Sequence, residues 1–419
     1  MPAHPPPLTT AEVAQLLGVK PATVYAYVSR GLLGSRRNGD GKNSLFDRRE
    51  VDAFLAARKH PTTPGIRTGI TLISNGTLHY RGHDATALAR VASFEEIVAL
   101  LWTGTRRYET FAPDPRLRRL AEDVIAPLPG TARHTDRLRL IVAAAAAGDP
   151  LRFDTTPAAV IATSRALLGT MVAALPPVVA DFARDADAGA EDTQARLPRV
   201  IGDRGQPQAV GGRIAEVLWG RLTGWEATPR EHNLLDAALV LLADHDIAAS
   251  TLAARVAAST RAHPYAVVGA GLAALDGPLH GAASSLAYPL LAGVLEKPDP
   301  VDAIAERLRA GEPVPGFGHR LYPDGDPRAR ALLEMLGDTR ARDAAERLSE
   351  VMRARSGVRP NVDLALAAVT LEYGMPPDAG ETIFAVARTA GWIAHALEEY
   401  ADRPSRFRPS GDYAGQAPG

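Results

Sequence analysis

From residue 69 onward the chain consists almost entirely of alanine- and leucine-rich runs whose apolar residues recur at helical spacing, and few stretches alternate as a strand must. A chain so poor in alternation has to build its core from helix packed on helix. One exception is Thr71-Leu72-Ile73-Ser74-Asn75-Gly76-Thr77-Leu78-His79-Tyr80, where two short apolar runs flank Asn75-Gly76, the strongest local hairpin signal. The body is therefore predicted to be mainly α, with one small β-hairpin at its start.

The 419 residues, at roughly 100 to 200 per domain, predict two or three domains. Hydrophobic residues make up 46% and charged residues 23%, with a net charge of -1, the balance of a soluble globular protein with no whole-chain attraction to polyanions. The absence of cysteine excludes disulfides, thiolate zinc sites and thiol nucleophiles, and fits a reducing cytoplasm. The start, Met1-Pro2-Ala3-His4 followed by three prolines, lacks the charged end and apolar core of a signal peptide. No uninterrupted apolar run reaches the about 18 residues of a spanning helix. The best candidate, Ala158 to Ala180, is interrupted by Ser164, Arg165 and Pro176-Pro177. A cytoplasmic chain without a membrane partner is expected.

Residues 1–60 read as a unit of their own. Thr9 and Glu12 have capping-box spacing, Val13, Leu16 and Leu17 follow at helical intervals, and Gly18 stops the helix. A second helix starts near Pro21 and runs through Val24, Tyr25 and Val28, which makes a helix-turn-helix. Then come Gly31-Leu32-Leu33, a polar loop over Arg36 to Lys42, and a third helix predicted over Arg49 to Arg58. Ala11-Glu12-Val13-Ala14-Gln15-Leu16-Leu17-Gly18-Val19 and Ala22-Thr23-Val24-Tyr25-Ala26-Tyr27-Val28 resemble the winged DNA-binding head of MerR-like and excisionase-like proteins. That resemblance implies DNA as a partner, with Lys20, Thr23, Tyr25, Arg30, Arg36 and Arg37 as candidate contacts in a locally basic segment. Residues 61–68, with Pro64-Gly65, read as a linker, Ala183 to Pro198 as a loop, and the segment from Asp402 as an extended tail.

Gly269-Ala270-Gly271-Leu272-Ala273-Ala274 fits a loose dinucleotide fingerprint, but its surroundings are helical and supply no preceding strand. No P-loop is present, and no histidine and carboxylate spacing resembles a zinc or iron site, so neither a metal nor another cofactor is expected. Two histidines occupy glycine- and proline-rich turns, Gly277-Pro278-Leu279-His280-Gly281 and Pro315-Gly316-Phe317-Gly318-His319-Arg320, and an aspartate follows in Pro360-Asn361-Val362-Asp363. Each alone is an ordinary turn residue. Together they are two acids and a base suited to chemistry beside a carbonyl.

Their neighbours extend the pattern: Ala243-Asp244-His245-Asp246 with Ala249-Ser250-Thr251, Asp326-Pro327-Arg328, Ala387-Arg388-Thr389-Ala390-Gly391-Trp392-Ile393-Ala394-His395, and Arg408-Pro409. In that order, and with Tyr80-Arg81-Gly82-His83-Asp84 near the start, the segments resemble citrate synthase from about Ile66 to Gly415. The resemblance implies a two-domain helical dimer, with a large domain over 69–283 and 374–419 and a small domain over 284–373 that closes on it. It implies Asp363 as the base, His280 as donor to a thioester oxygen and His319 as the acid at a ketone. His245, Arg328 and Arg388 would bind a 2-oxo dicarboxylate, and Arg408 would complete the partner subunit's site. Acyl-CoA enters as substrate.

The chain departs from the family pattern at Asp246, Ile247 and Ala248, where an asparagine is common, at Ala282-Ala283-Ser284, at Leu364-Ala365-Leu366 and at Ser410 in place of a second tail arginine. None of these removes a proton-transfer group. The expected activity is condensation of acetyl-CoA or propionyl-CoA with oxaloacetate or a related 2-oxo acid. The alternative is a transcriptional regulator that uses the synthase-like body as metabolite sensor and dimeriser.

Overall fold

The computed structural model describes residues 7–17, 19–29, 33–37, 44–48, 50–52, 54, 66–178, 212–296, 299–408 and 415. They fall into two compact units that divide between Arg67 and Thr68.

The first unit carries β1 (Leu8–Thr9), α1 (Thr10–Leu17), α2 (Pro21–Ser29), β2 (Arg36–Arg37) and β3 (Ser44–Phe46), with an antiparallel sheet in the order β1-β3-β2. The predicted capping box forms: the Thr9 N–H donates to Glu12 Oε2 at 2.7 Å, and the Glu12 N–H donates to Thr9 Oγ1 at 3.4 Å. Val13, Leu17, Val24, Leu33, Phe46 and Val51 form a small core beneath the helices and sheet. This is a winged helix-turn-helix. Residues 48, 50–52 and 54 are helical, whereas Gly18, Arg30, the loop 38–43 and the rest of the predicted third helix lie outside the described residues.

The second unit opens with the predicted hairpin. β4 (Thr71–Ser74) pairs with β5 (Thr77–Tyr80) in the register Thr71 to Tyr80 and Ser74 to Thr77. Asn75 and Gly76 take φ of 51° and 72°, the two positive values of a tight hairpin loop. A third strand, β6 (His83–Asp84), returns along β5 and is too short to show alternation in sequence. Asp84 then caps the single-turn helix α3 (Ala85–Leu88).

Helices make up the rest of the regular structure: α4 (Phe94–Thr103), α5 (Pro115–Ile125), α6 (His134–Gly148), α7 (Pro157–Ala174), α8 (Ile214–Thr223), α9 (Pro229–Leu242), α10 (Ala249–Ser259), α11 (Pro264–Leu275), α12 (Ala283–Glu296), α13 (Pro300–Arg309), α14 (Pro327–Leu336), α15 (Arg340–Ser356), α16 (Val362–Glu372) and α17 (Ala379–Ala401). The 23-residue α17 is the centre, packed against α4, α6, α7, α9, α10, α11, α12 and α16. Such a helix is buried on nearly all sides. α12, α13, α15 and α16 pack on one another, and α14 joins them through α16.

α7 differs from expectation. It runs unbroken through Ser164 and Arg165, and by length and composition alone it is apolar enough to cross a membrane. Its apolar side chains instead belong to the core: 56% of it is buried, it packs on α5, α6, α8, α11 and α17, and Arg165 pairs with Glu109. The glycines of the dinucleotide-like run lie inside α11, where an ideal Cβ on Gly271 would stand 2.5 Å from the Trp392 ring. That glycine serves close packing. The tail is non-helical from Asp402 to Arg408, and the predicted loop Ala183 to Pro198 lies outside the described residues.

Candidate active site

Three helix N-termini carry site residues, because Ser250, Arg328 and Asp363 are each the second residue of α10, α14 and α16. Unpaired N–H groups at such ends favour anions and disfavour cations. Around them stand His245 after α9, His280 between α11 and α12, His319 between α13 and α14, and Arg388 in mid-α17. The His245 and His319 ring centroids are 5.2 Å apart, and Tyr322 touches both, with its ring 4.7 Å from His319 and its hydroxyl 2.9 Å from His245 Nε2. The Arg328 guanidinium lies 5.6 Å from the Tyr322 ring. Phe384 lies 4.6 Å from the Arg388 guanidinium and 5.9 Å from the His280 ring.

Arg388 is 1% exposed, and its Nε donates to Leu242 O at 2.9 Å. Nη1 and Nη2 are buried without a partner. A planar fork of this kind matches the two oxygens of a carboxylate. Burial, more than any neighbour, draws its pKa down to about 10. Arg328, also buried, is held by Asp326 through Nε at 3.0 Å and Nη2 at 2.8 Å. Asp244 is fully buried and ionised below the usual carboxylate range, with the Thr71 hydroxyl at 2.5 Å and His395 Nε2 at 3.3 Å offsetting the cost of its burial.

The imidazoles are held neutral, and in His280 and His319 the contacts place the proton. Burial and then the Arg388 charge push His280 down to about 4. Its Nε2 lies 2.8 Å from Ser250 Oγ and accepts the Ser250 N–H at 3.4 Å, so the ring proton resides on Nδ1. Ala248 offers α10 no side-chain cap, and the imidazole takes that place. His319 is lowered by burial and by Arg328. Its Nδ1 accepts the Leu321 N–H at 3.1 Å, which puts its proton on Nε2. Burial and the charges of Arg328 and Arg388 lower His245 well below the usual histidine range. Burial raises Asp363 to about 7 against the opposing pull of Arg328.

A short antiparallel bridge ties the loop before His319 to the segment that leads into Asp363. Gly318 N–H donates to Arg359 O at 2.8 Å, Asn361 N–H to Gly316 O at 2.9 Å, and Asn361 Nδ2 to Gly318 O at 3.0 Å. Asp326 Oδ2, which also grips Arg328, accepts the Val362 N–H at 3.0 Å.

Six predicted residues, His245, His280, His319, Arg328, Asp363 and Arg388, thus gather in one site. Arg408 is exposed on the tail and touches none of them among the described residues. Lys20, Tyr25 and Arg36 are exposed in the first unit and Thr23 is half-buried, while Arg30 and the side chain of Arg37 lie outside the described residues. Tyr322, Phe384, Ser250 and Trp392 carry no sequence signal of a role of their own, although Ser250 and Trp392 fall within the motif segments. No group of three or more His, Cys, Asp or Glu that could hold a metal ion occurs among the described residues.

Fold and site together define a class: a helical protein with a buried, unpartnered arginine fork near neutral imidazoles and a carboxyl of raised pKa. The family profile described as citrate synthase, C-terminal domain, matches residues 61–410, and a helix-turn-helix domain profile matches residues 7–59. Citrate synthase of Haloferax volcanii is 32% identical over 81% of this chain and 90% of its own length. 2-Methylcitrate synthase 1 of Corynebacterium glutamicum is 29% identical over 81% and 90%. Among solved structures, citrate synthase of Thermoplasma acidophilum, in ternary complex with carboxymethyl coenzyme A and oxaloacetate, matches with a TM-score of 0.67 at 25% identity, covering 86% of this chain and 97% of that one. The chain belongs to the citrate synthase family and is a citrate synthase-like enzyme with an N-terminal helix-turn-helix domain.

The raised pKa of Asp363 has a signed consequence for stability. The native carboxyl keeps its proton up to about pH 7, while an unfolded aspartate releases it near pH 3.9, so raising pH across that window favours unfolding. Asp363→Asn is expected to raise Tm above pH 7 and to lose that advantage toward pH 4, measured by thermal unfolding from pH 4 to 8. A Tm difference that does not change with pH would contradict this.

Proposed function

We propose that the enzyme condenses the acetyl group of acetyl-CoA, or the propionyl group of propionyl-CoA, with oxaloacetate or a related 2-oxo dicarboxylate and releases CoA. The observation that carries this reading is the unpartnered fork of Arg388, whose charge acts on His280 and His245, while that of Arg328 acts on His319 and Asp363. Arg388 and Arg328, with His245, hold the carboxylates of the 2-oxo acid. Asp363 takes a proton from the α-carbon of the thioester while His280 Nδ1–H donates a hydrogen bond to the thioester oxygen. The enol oxygen must be stabilised, because a carboxylate alone is too weak a base for that carbon acid. The α-carbon attacks the ketone carbon, and the His319 Nε2 proton passes to the new alkoxide. Water then hydrolyses the product thioester, and CoA leaves as the thiol.

Residues 284–373 act as a small domain that closes over 69–283 and 374–419, and the loop from Gly311 to Arg328 covers the acyl carrier and excludes water. Arg408 completes the site of a partner subunit in a cytoplasmic homodimer. In wild type, thiol release from acetyl-CoA and propionyl-CoA is expected only with a 2-oxo acid present, across a panel of such acids. Asp363→Ala is expected to lower kcat by at least about 100-fold. No release with any acceptor would sink the reading.

The helix-turn-helix match supports a second activity, DNA binding through Lys20, Thr23, Tyr25, Arg30, Arg36 and Arg37, with the synthase body as metabolite sensor and dimeriser. A homodimer presents two heads to a paired half-site. Binding to promoter DNA across a salt series is expected to weaken steeply with salt, and Lys20→Ala or Arg36→Ala to flatten that slope by about 0.9 for each phosphate no longer neutralised. No affinity even at low salt would leave the head as a packing or protein-contact module.

A further inference from the structure

His280 Nε2 is met by Ser250, and Ser250 in turn by Trp392. Trp392 is fully buried, and its indole N–H, which can only donate, points at Ser250 Oγ at 3.2 Å. The same oxygen lies 2.8 Å from His280 Nε2. Ser250 is itself fully buried, so its hydroxyl has few partners to choose from. The indole cannot accept, so of these two neighbours only Nε2 can take the hydroxyl proton, beside the Ser250 N–H that it already accepts. Without the indole the hydroxyl is free to turn away from Nε2, which leaves the Ser250 N–H at 3.4 Å to hold the tautomer, and the opposite tautomer would turn a lone pair on Nδ1 toward the thioester oxygen.

We propose that Trp392 is a positioning residue for the condensation: its indole N–H holds the Ser250 hydroxyl where its proton meets His280 Nε2, and so supports the Ser250 N–H in keeping the ring proton on Nδ1, where the substrate needs it. This rests on the role given to His280 under the proposed function. The placement is built into the helix packing. Phe384, Arg388 and Trp392 follow one another four residues apart on one face of α17, so the ring against His280, the carboxylate fork and the tautomer lock sit on successive turns. Gly271 of α11 lets that helix press against the indole, since an ideal Cβ there would meet three ring atoms at 2.5 to 2.7 Å.

The test is a double-mutant cycle of Trp392→Phe and Ser250→Ala, with steady-state kinetics and solvent-deuterium exchange into the acetyl-CoA methyl group, beside 15N NMR of histidine-labelled wild-type enzyme. Trp392→Phe is expected to lower kcat and methyl exchange by roughly tenfold while KM for the 2-oxo acid is unchanged, and to add nothing further in the Ser250→Ala background. An equal loss in both backgrounds would mark Trp392 as a packing residue and overturn the proposal. In wild type, NMR is expected to show His280 protonated on Nδ1 at neutral pH, and protonation on Nε2 overturns the proposal even if the variants fail to fold. A wild type with no condensing activity but the Nδ1 tautomer would refute the reaction and leave the lock standing.

Discussion

A guanidinium buried in the middle of the central helix, with two of its three nitrogens unbonded, is the constraint on which the rest of the site depends. Arg388 gives Nε to the carbonyl of Leu242 and leaves Nη1 and Nη2 without a partner. Each buried donor left unmade costs about 1 to 3 kcal/mol, so the resting fold carries strain in polar satisfaction that an incoming carboxylate removes. The same charge, with burial, keeps His280 and His245 neutral. Neutral imidazoles can donate one hydrogen bond along a defined direction, whereas imidazolium beside two arginines would be repelled.

Proton placement then follows from which backbone and side-chain donors face each ring. Ser250 faces Nε2 of His280 and Leu321 faces Nδ1 of His319, so the two rings carry their protons on opposite nitrogens. Asp326 ties this arrangement together: one carboxylate grips Arg328 and accepts the first amide of α16, which presents Asp363. The bridge between residues 316–318 and 359–361 ties the segments that carry His319 and Asp363 to each other.

Much of this was legible in the sequence where a signal is local. Asn75-Gly76 made its hairpin because both positions accept positive φ, and the glycine-rich turns around His280 and His319 brought them to one site. What escaped was set by contacts between distant parts of the chain. Trp392 and Ser250 are 142 residues apart, and Tyr322 meets His245 across 77. Neither residue type nor spacing marks such a partner. α7 escaped for a related reason: Ser164 and Arg165 looked like interruptions, yet one is buried in the core and the other pairs with Glu109. β6 is only two residues long, too short for periodicity to speak. Arg408 stands exposed on the tail, so the role implied for it depends on a second subunit.

The central claim is that the arginine fork is built for a dicarboxylate that reacts beside Asp363. Calorimetric titration of the wild-type enzyme with a 2-oxo dicarboxylate and with the matching 2-oxo monocarboxylate tests it most directly, because it needs no thioester and no turnover. The account predicts that the dicarboxylate binds at least about tenfold more tightly, the contribution of one charge-assisted hydrogen-bonded group, and that Arg388→Met abolishes the difference. Equal affinity for the two acids, or a preference untouched by Arg388→Met, would contradict it.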